Sequence, residues 1–117
     1  MEFSFTKADR ILKRNDFIQL SETGRKLYHD YFIANYAPGR TGRSRLGITV
    51  TRKVGGAVTR NRIKRLVREY FRLNKHVLAG EWDINIIAKK EAAYLSSQKI
   101  FAALQNIFER ISNCDGI

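Results

Sequence analysis

Apolar side chains return at three- and four-residue steps in two long stretches of the chain, and both predict helices. In "RNRIKRLVREYFR", Arg60 to Arg72, a turn of 100° per residue places Ile63, Leu66, Val67, Tyr70 and Phe71 within an arc of about 140°. Arg60, Asn61, Lys64, Arg65, Arg68 and Arg72 fall on a different arc of similar width, flanked by Arg62 and Glu69. One face therefore suits a core and the other is made of cations. Further on, Ser97, Ile100, Phe101, Leu104, Ile107, Phe108 and Ile111 form a second stripe, which reads as core packing.

Period-two patterns predict strands between these helices. "RLGITVTRK" sets Leu46, Ile48 and Val50 on one face and Gly47, Thr49, Thr51 and Lys53 on the other. Before it, "KLYHDYFIANY", Lys26 to Tyr36, is rich in aromatic and β-branched residues, and "APGRTGRS" then carries the turn residues. The two strands are expected to pair as an antiparallel hairpin whose polar face stays available for binding. "WDINIIAKK" alternates Trp82, Ile84, Ile86 and Ala88 against Asp83, Asn85 and Ile87, so its second face is expected to be partly covered too. At the start, "RNDFIQLSETG" predicts a short helix capped by Asn15, with Asp16 at the positive end of its dipole and Gly24 closing it in a left-handed conformation. The order is α-β-β-α-β-α. This is an α+β chain, most simply one domain over residues 1–117 with an ordered core from about 7 to 111.

Charge sharpens the picture. The 117 residues include 22 Lys and Arg against 11 acids, which points to a polyanionic partner, nucleic acid before an acidic membrane. Eleven of those bases lie between Arg40 and Arg72, with Glu69 as the only acid among them. Arginine dominates, and its planar fork suits phosphates, guanine edges and stacked bases. A membrane helix would need its apolar face free for lipid, whereas here a small domain needs that face for its core. Among Phe17, Tyr28, Tyr31, Phe32 and Tyr36, core packing is expected for most and a groove-lining role for at least one.

Other chemistry is harder to find. Cys114, His29 and His76 form neither a disulfide framework nor a recognisable metal site, and no protein-bound metal is expected. The acids, from Asp9 to Asp115, make no close pair in the basic region, so no catalytic residue is assigned to the protein. "GRTGRS" lacks the spacing and the lysine of a phosphate-binding loop, and Gly55-Gly56 makes no dinucleotide fingerprint. "MEFSFTKADRILKR" has no signal-peptide core, and no membrane span is present. A cytoplasmic protein is expected, with no membrane and no obligate protein partner.

The run "RLGITVTRKVGGAVTRNRIKRLVREYFR", taken with "RNDFIQL", closely resembles the protein subunit family of bacterial ribonuclease P. The similarity extends by element order from about Lys7 to Ile111 and is most specific from Arg45 to Arg72, where Arg60-Asn61-Arg62 and Ile63-Lys64-Arg65 match the family's signature. The resemblance implies a single-domain α-β-β-β-α-β-α sandwich around a small mixed sheet, of a kind also seen in ribosomal protein domains. It implies a left-handed crossover through the basic helix, although such connections are nearly always right-handed.

It also implies that a catalytic RNA subunit removes the 5′ leader of precursor tRNA, using Mg²⁺ held mainly by the RNA, while the protein supplies binding. Arg52, Lys53, Arg60, Asn61, Arg62, Lys64, Arg65 and Arg68 are then the surface for the catalytic RNA. Phe17, Ile33, Asn35, Thr49 and Thr51 line a groove for the single-stranded leader. Ser21 stands where the family often has a second aromatic, Asn35 where tyrosine is common and Gly56 where asparagine is usual. Two other readings are a non-catalytic module for ribosomal or other structured RNA, and a protein-only nuclease.

Overall fold

The computed structural model describes residues 5–114; Asp115 lies outside them, as does the side chain of Cys114. After a single helical turn at Lys7–Asp9 come α1 (Arg14–Thr23), β1 (Arg25–Tyr28), β2 (Phe32–Pro38), β3 (Arg45–Thr49), α2 (Ala57–Asn74), β4 (Trp82–Ala88) and α3 (Ser97–Cys114). This α-β-β-β-α-β-α order is the one the family resemblance implies. Periodicity alone merges β1 and β2 into one strand, because the reversal at His29–Tyr31 contains neither glycine nor proline. A side chain makes the turn instead: Tyr31 N–H donates to His29 Nδ1 at 3.1 Å, and His29 N–H donates to the Phe32 carbonyl at 2.9 Å.

The four strands lie in the order β1-β2-β4-β3, with β3 and β4 parallel and the other pairs antiparallel. The expected β2–β3 hairpin does not form. Through α2 the chain returns as β4, which inserts between the two, and β4 suits the centre because six of its seven residues are buried. Strand β3 becomes an edge, met by the incoming chain where Ile11 N–H donates to the Leu46 carbonyl at 2.9 Å. It stops at Thr49 rather than Lys53. Val54 N–H donates to the Thr51 carbonyl at 3.0 Å, so Thr51, Arg52 and Lys53 form an exposed turn instead of a sheet face.

The first helix also differs in its ends. It begins at Arg14 behind Lys13, whose carbonyl accepts from Asp16 N–H at 3.0 Å, so Asn15 is inside the first turn and not the cap. Gly24 is extended at φ −75°, not left-handed. Glycine is needed there for space, since a Cβ would sit 2.5 Å from the Leu20 carbonyl oxygen and 3.0 Å from that of Tyr36.

One face of the sheet, with Leu27, Phe32, Ala34, Tyr36, Leu46, Trp82, Ile84 and Ile86, is buried against α2 and α3. The α2 residues facing it are Ile63, Leu66, Val67, Tyr70 and Phe71, as the wheel predicts, and α3 contributes Ile100, Leu104, Ile107, Phe108 and Ile111. Phe108 meets Tyr70 and Phe71 edge to face, at 5.1 and 6.2 Å between ring centroids. Each fully buried large side chain contributes about 1.5–3 kcal/mol. That packing fixes the rotation of α2 about its axis and turns its cations outward.

Candidate nucleic-acid interface

Outward on α2 stand Arg60, Asn61, Arg62, Lys64, Arg65 and Arg68, all partly or fully exposed. Among the described residues only Arg72 on this helix makes an ion pair, with Glu69. Arg60 folds back so that Nε donates to the Gly55 carbonyl at 3.2 Å, which anchors it at the first turn. The helix starts behind Gly56, an extended residue with no side-chain cap, and Arg52 and Lys53 lie just before it in their exposed turn. Like charges this dense repel one another, and among the described residues Arg62, Lys64, Arg65 and Arg68 have no acid paired with them.

Elsewhere arginines have been neutralised. Arg45 donates from Nε and Nη2 to the two carboxylate oxygens of Asp83 at 3.0 and 2.8 Å, with Asp16 at 3.5 Å. Hydrogen bonding to Asp83 holds the guanidinium above its already high ordinary pKa, more than offsetting burial. Arg43 reaches Asp9 at 3.0 Å and Lys75 reaches it at 3.3 Å. Burial pushes the Asp9 carboxyl up, but bonds from Thr6 N–H, Lys75 and the Thr6 hydroxyl outweigh it and hold it below the usual value.

The second face of the sheet carries its residues in rows: Arg45, Asp83 and Ala37; then Gly47, Asn85, Asn35 and Lys26; then Thr49, Ile87, Ile33 and Tyr28. Helix α1 lies along the first two rows. Asp16, Gln19, Leu20 and Thr23 line a recess with Ala37, Arg40, Arg45 and Asp83, and the Phe17 ring rests on Gly47, where a Cβ would come within 2.5 Å of it. Asn35 and Asn85 are therefore buried, at 3% and 5% exposure. Lys26 Nζ donates to Asn35 Oδ1 at 3.2 Å, and Asn85 Nδ2 donates to the Thr49 hydroxyl at 3.2 Å.

The third row is uncovered. Ile33, Ile87 and Thr49 are half-buried and Tyr28 is 66% exposed. The usual arrangement is inverted, with polar groups satisfied beneath a helix and an apolar floor open to solvent, and such a floor suits flat rings. Phe17 borders the row and also lines a cleft of ≈ 190 Å³ with Arg10, Leu12, Lys64 and Arg68.

The sequence-derived residues thus separate into groups. Arg60, Asn61, Arg62, Lys64, Arg65 and Arg68 share one surface, with Arg52 and Lys53 at its end. Ile33 and Thr49 lie in the open row, and Phe17 borders it. Asn35 lies beneath α1 with its oxygen engaged, and Thr51 has left the sheet. The sequence offered Tyr28 only as one of five candidate rings and did not place Ile87 in the groove, although Ile87, the apolar member of the polar face in "WDINIIA", carried the signal. Among the described residues no three His, Cys, Asp or Glu side chains are grouped to hold a metal ion. None of the described helices is long and apolar enough to cross a membrane.

A family model described as Ribonuclease P matches residues 5–112. A ribonuclease P protein component from Desulfatibacillum aliphaticivorans is 54% identical over 110 residues, covering 94% of this chain and 93% of its own length. Among solved structures, the Staphylococcus aureus RNase P protein superposes with a TM-score of 0.83 at 32% identity, covering 89% of this chain and 95% of its own. The Thermotoga maritima protein does so with a TM-score of 0.80 at 36% identity, covering 87% and 96%.

Proposed function

Because the chain belongs to the ribonuclease P protein family and is a component of that enzyme, we propose that it binds a catalytic RNA and the 5′ leader of precursor tRNA and thereby promotes leader removal in the cytoplasm. The single observation that carries this reading is the α2 face, where Arg62, Lys64, Arg65 and Arg68 have no internal ion pair among the described residues. Together with Arg60, Asn61, Arg52 and Lys53 they would meet the phosphates of a folded RNA, releasing its counterions.

The leader, being single-stranded, would lie along the open row. Ile33 and Ile87 offer a floor for base faces, Thr49 a hydroxyl at its edge, and Phe17 and Tyr28 rings at its borders. Contacts remote from the scissile phosphate then orient the substrate and contribute to transition-state binding. Mg²⁺ held chiefly by RNA oxygens would supply the hydrolytic chemistry, while the protein's side chains would bind and orient and not act as acid, base or nucleophile. The protein's cations reduce repulsion between RNA segments, so the assembled enzyme needs less Mg²⁺ than the RNA alone.

The test is cleavage of precursor tRNA by the catalytic RNA at low Mg²⁺, with and without the protein, together with affinities for precursor and mature tRNA. Faster cleavage and leader-dependent affinity are expected. Equal affinity for both tRNAs and no acceleration would leave a generic structured-RNA binder, and cleavage by RNA-free protein would make it a nuclease in its own right.

A further inference from the structure

Helix α1 divides the second face of the sheet, and the flank away from the open row is a cleft of ≈ 520 Å³ with six cations in its wall: Lys7, Arg10, Lys13, Arg40, Arg43 and Arg45. We propose that this flank is a second docking surface for the sugar-phosphate backbone of the catalytic RNA, separate from the leader groove. The inference rests on the function proposed above.

Arg43 and Arg45 are held by Asp9 and Asp83, and Asp16, the one carboxylate lining the cleft among the described residues, is engaged by Arg45. Lys7, Arg10, Lys13 and Arg40 are exposed and have no ion-pair partner among the described residues. Arg10 sits 5.0 Å from the centroid of the Phe5 ring, which fixes its guanidinium against the wall. A concave wall carrying four uncompensated charges concentrates anions.

The chemistry selects phosphate over bases. Among the described residues no aromatic side chain lines this cleft, in contrast to the open row with Tyr28 exposed at its end. Unstacked bases have no ring here to lie on, whereas a backbone needs only cations. Continuity selects which RNA. Arg10 and Leu12 also line the smaller cleft that contains Lys64 and Arg68, so the cationic path runs unbroken from α2, past the edge of β3, to Arg40. A folded RNA seated on α2 is thereby led onto this flank.

The experiment uses the full chain with Lys13→Gln and Arg40→Gln, and measures its dissociation constant for the catalytic RNA without substrate between 50 and 300 mM salt. Loss of two phosphate contacts at a slope of about 0.8 each predicts about 20-fold weaker binding at 150 mM and a salt slope shallower by about 1.5. The preference for leader-bearing over mature tRNA is expected to stay unchanged. Unaltered affinity and slope would overturn the proposal, as would a loss confined to leader-bearing substrate.

Wild type and an Arg60→Ala, Arg65→Ala variant run alongside. If wild type fails to bind the RNA, the proposed function has failed. If only the α2 variant weakens, this inference alone has failed. Should the glutamine pair unfold early, Arg40→Gln alone decides, with about a 5-fold loss expected.

Discussion

Arg45 and Arg65 belong to the same basic third of the chain, yet the fold treats them in opposite ways. Arg45 is largely buried beside α1 against Asp83, 38 positions away in sequence, and ties the edge strand to the centre of the sheet. Arg65 is exposed and makes no ion pair among the described residues, the Glu69 carboxylate one turn on being engaged by Arg72. Of the eleven bases between Arg40 and Arg72, Arg43, Arg45 and Arg72 have acidic partners among the described residues, which leaves eight facing outward. A count of charges therefore overstates the binding surface, and the partners that correct it come from β4, from the N-terminal turn and from α2 itself.

The sharpest way to separate the two classes is to remove the acid. Asp83→Ala leaves the Arg45 guanidinium largely buried and short of its bidentate partner, and unfolding free energy is expected to fall by about 3 kcal/mol. Denaturant unfolding measures that, while affinity for the catalytic RNA below the transition stays within about twofold of wild type, because no phosphate contact is lost. Arg60→Ala with Arg65→Ala reverses the pattern. Two lost phosphate contacts weaken RNA binding about 20-fold, or about 1.8 kcal/mol, with little change in the melting temperature. A collapsed melting temperature in that variant would place those side chains in the architecture and not at the interface.

Asp9 sharpens the comparison through pH. Its carboxyl titrates below the ordinary value of 3.8 in the folded chain, so the unfolded chain binds the proton more readily. The stability it contributes is complete above about pH 4 and is lost as pH falls through the depressed folded value. Asp9→Asn is expected to lower stability at neutral pH by about 1 kcal/mol, since its partners Arg43 and Lys75 remain partly solvated. The same variant is expected to flatten the acid limb, which unfolding curves from pH 2 to 6 follow. The smallest effect is expected at Gly56, whose extended backbone already suits a cap: Gly56→Asn adds a side-chain acceptor and a few tenths of a kcal/mol, without moving the cations of α2.

Both long helices were legible because their burial follows a 3.6-residue period that local sequence states directly. The cationic face was legible for the same reason, since packing of Ile63, Leu66 and Phe71 dictates where Arg65 and Arg68 must point. The β1–β2 turn was not, because its hydrogen bonds come from His29 rather than from glycine or proline. Neither was the insertion of β4 between β2 and β3, which depends on competition among strands far apart in the chain. In the groove, the family resemblance pointed to Asn35 on the second face of the sheet, but only the tertiary position of α1 decides which part of that face is roofed. The resemblance in "RLGITVTRKVGGAVTRNRIKRLVREYFR" supplied the strand count that periodicity missed.

The account stands on the outward guanidinium face of α2 meeting RNA phosphates, and a salt titration tests it most directly. Binding of the full chain to the catalytic RNA, followed from 50 to 200 mM monovalent salt, is predicted to weaken on the order of 10³-fold if about six phosphates are contacted. An affinity that changes by less than about tenfold across that range would contradict it.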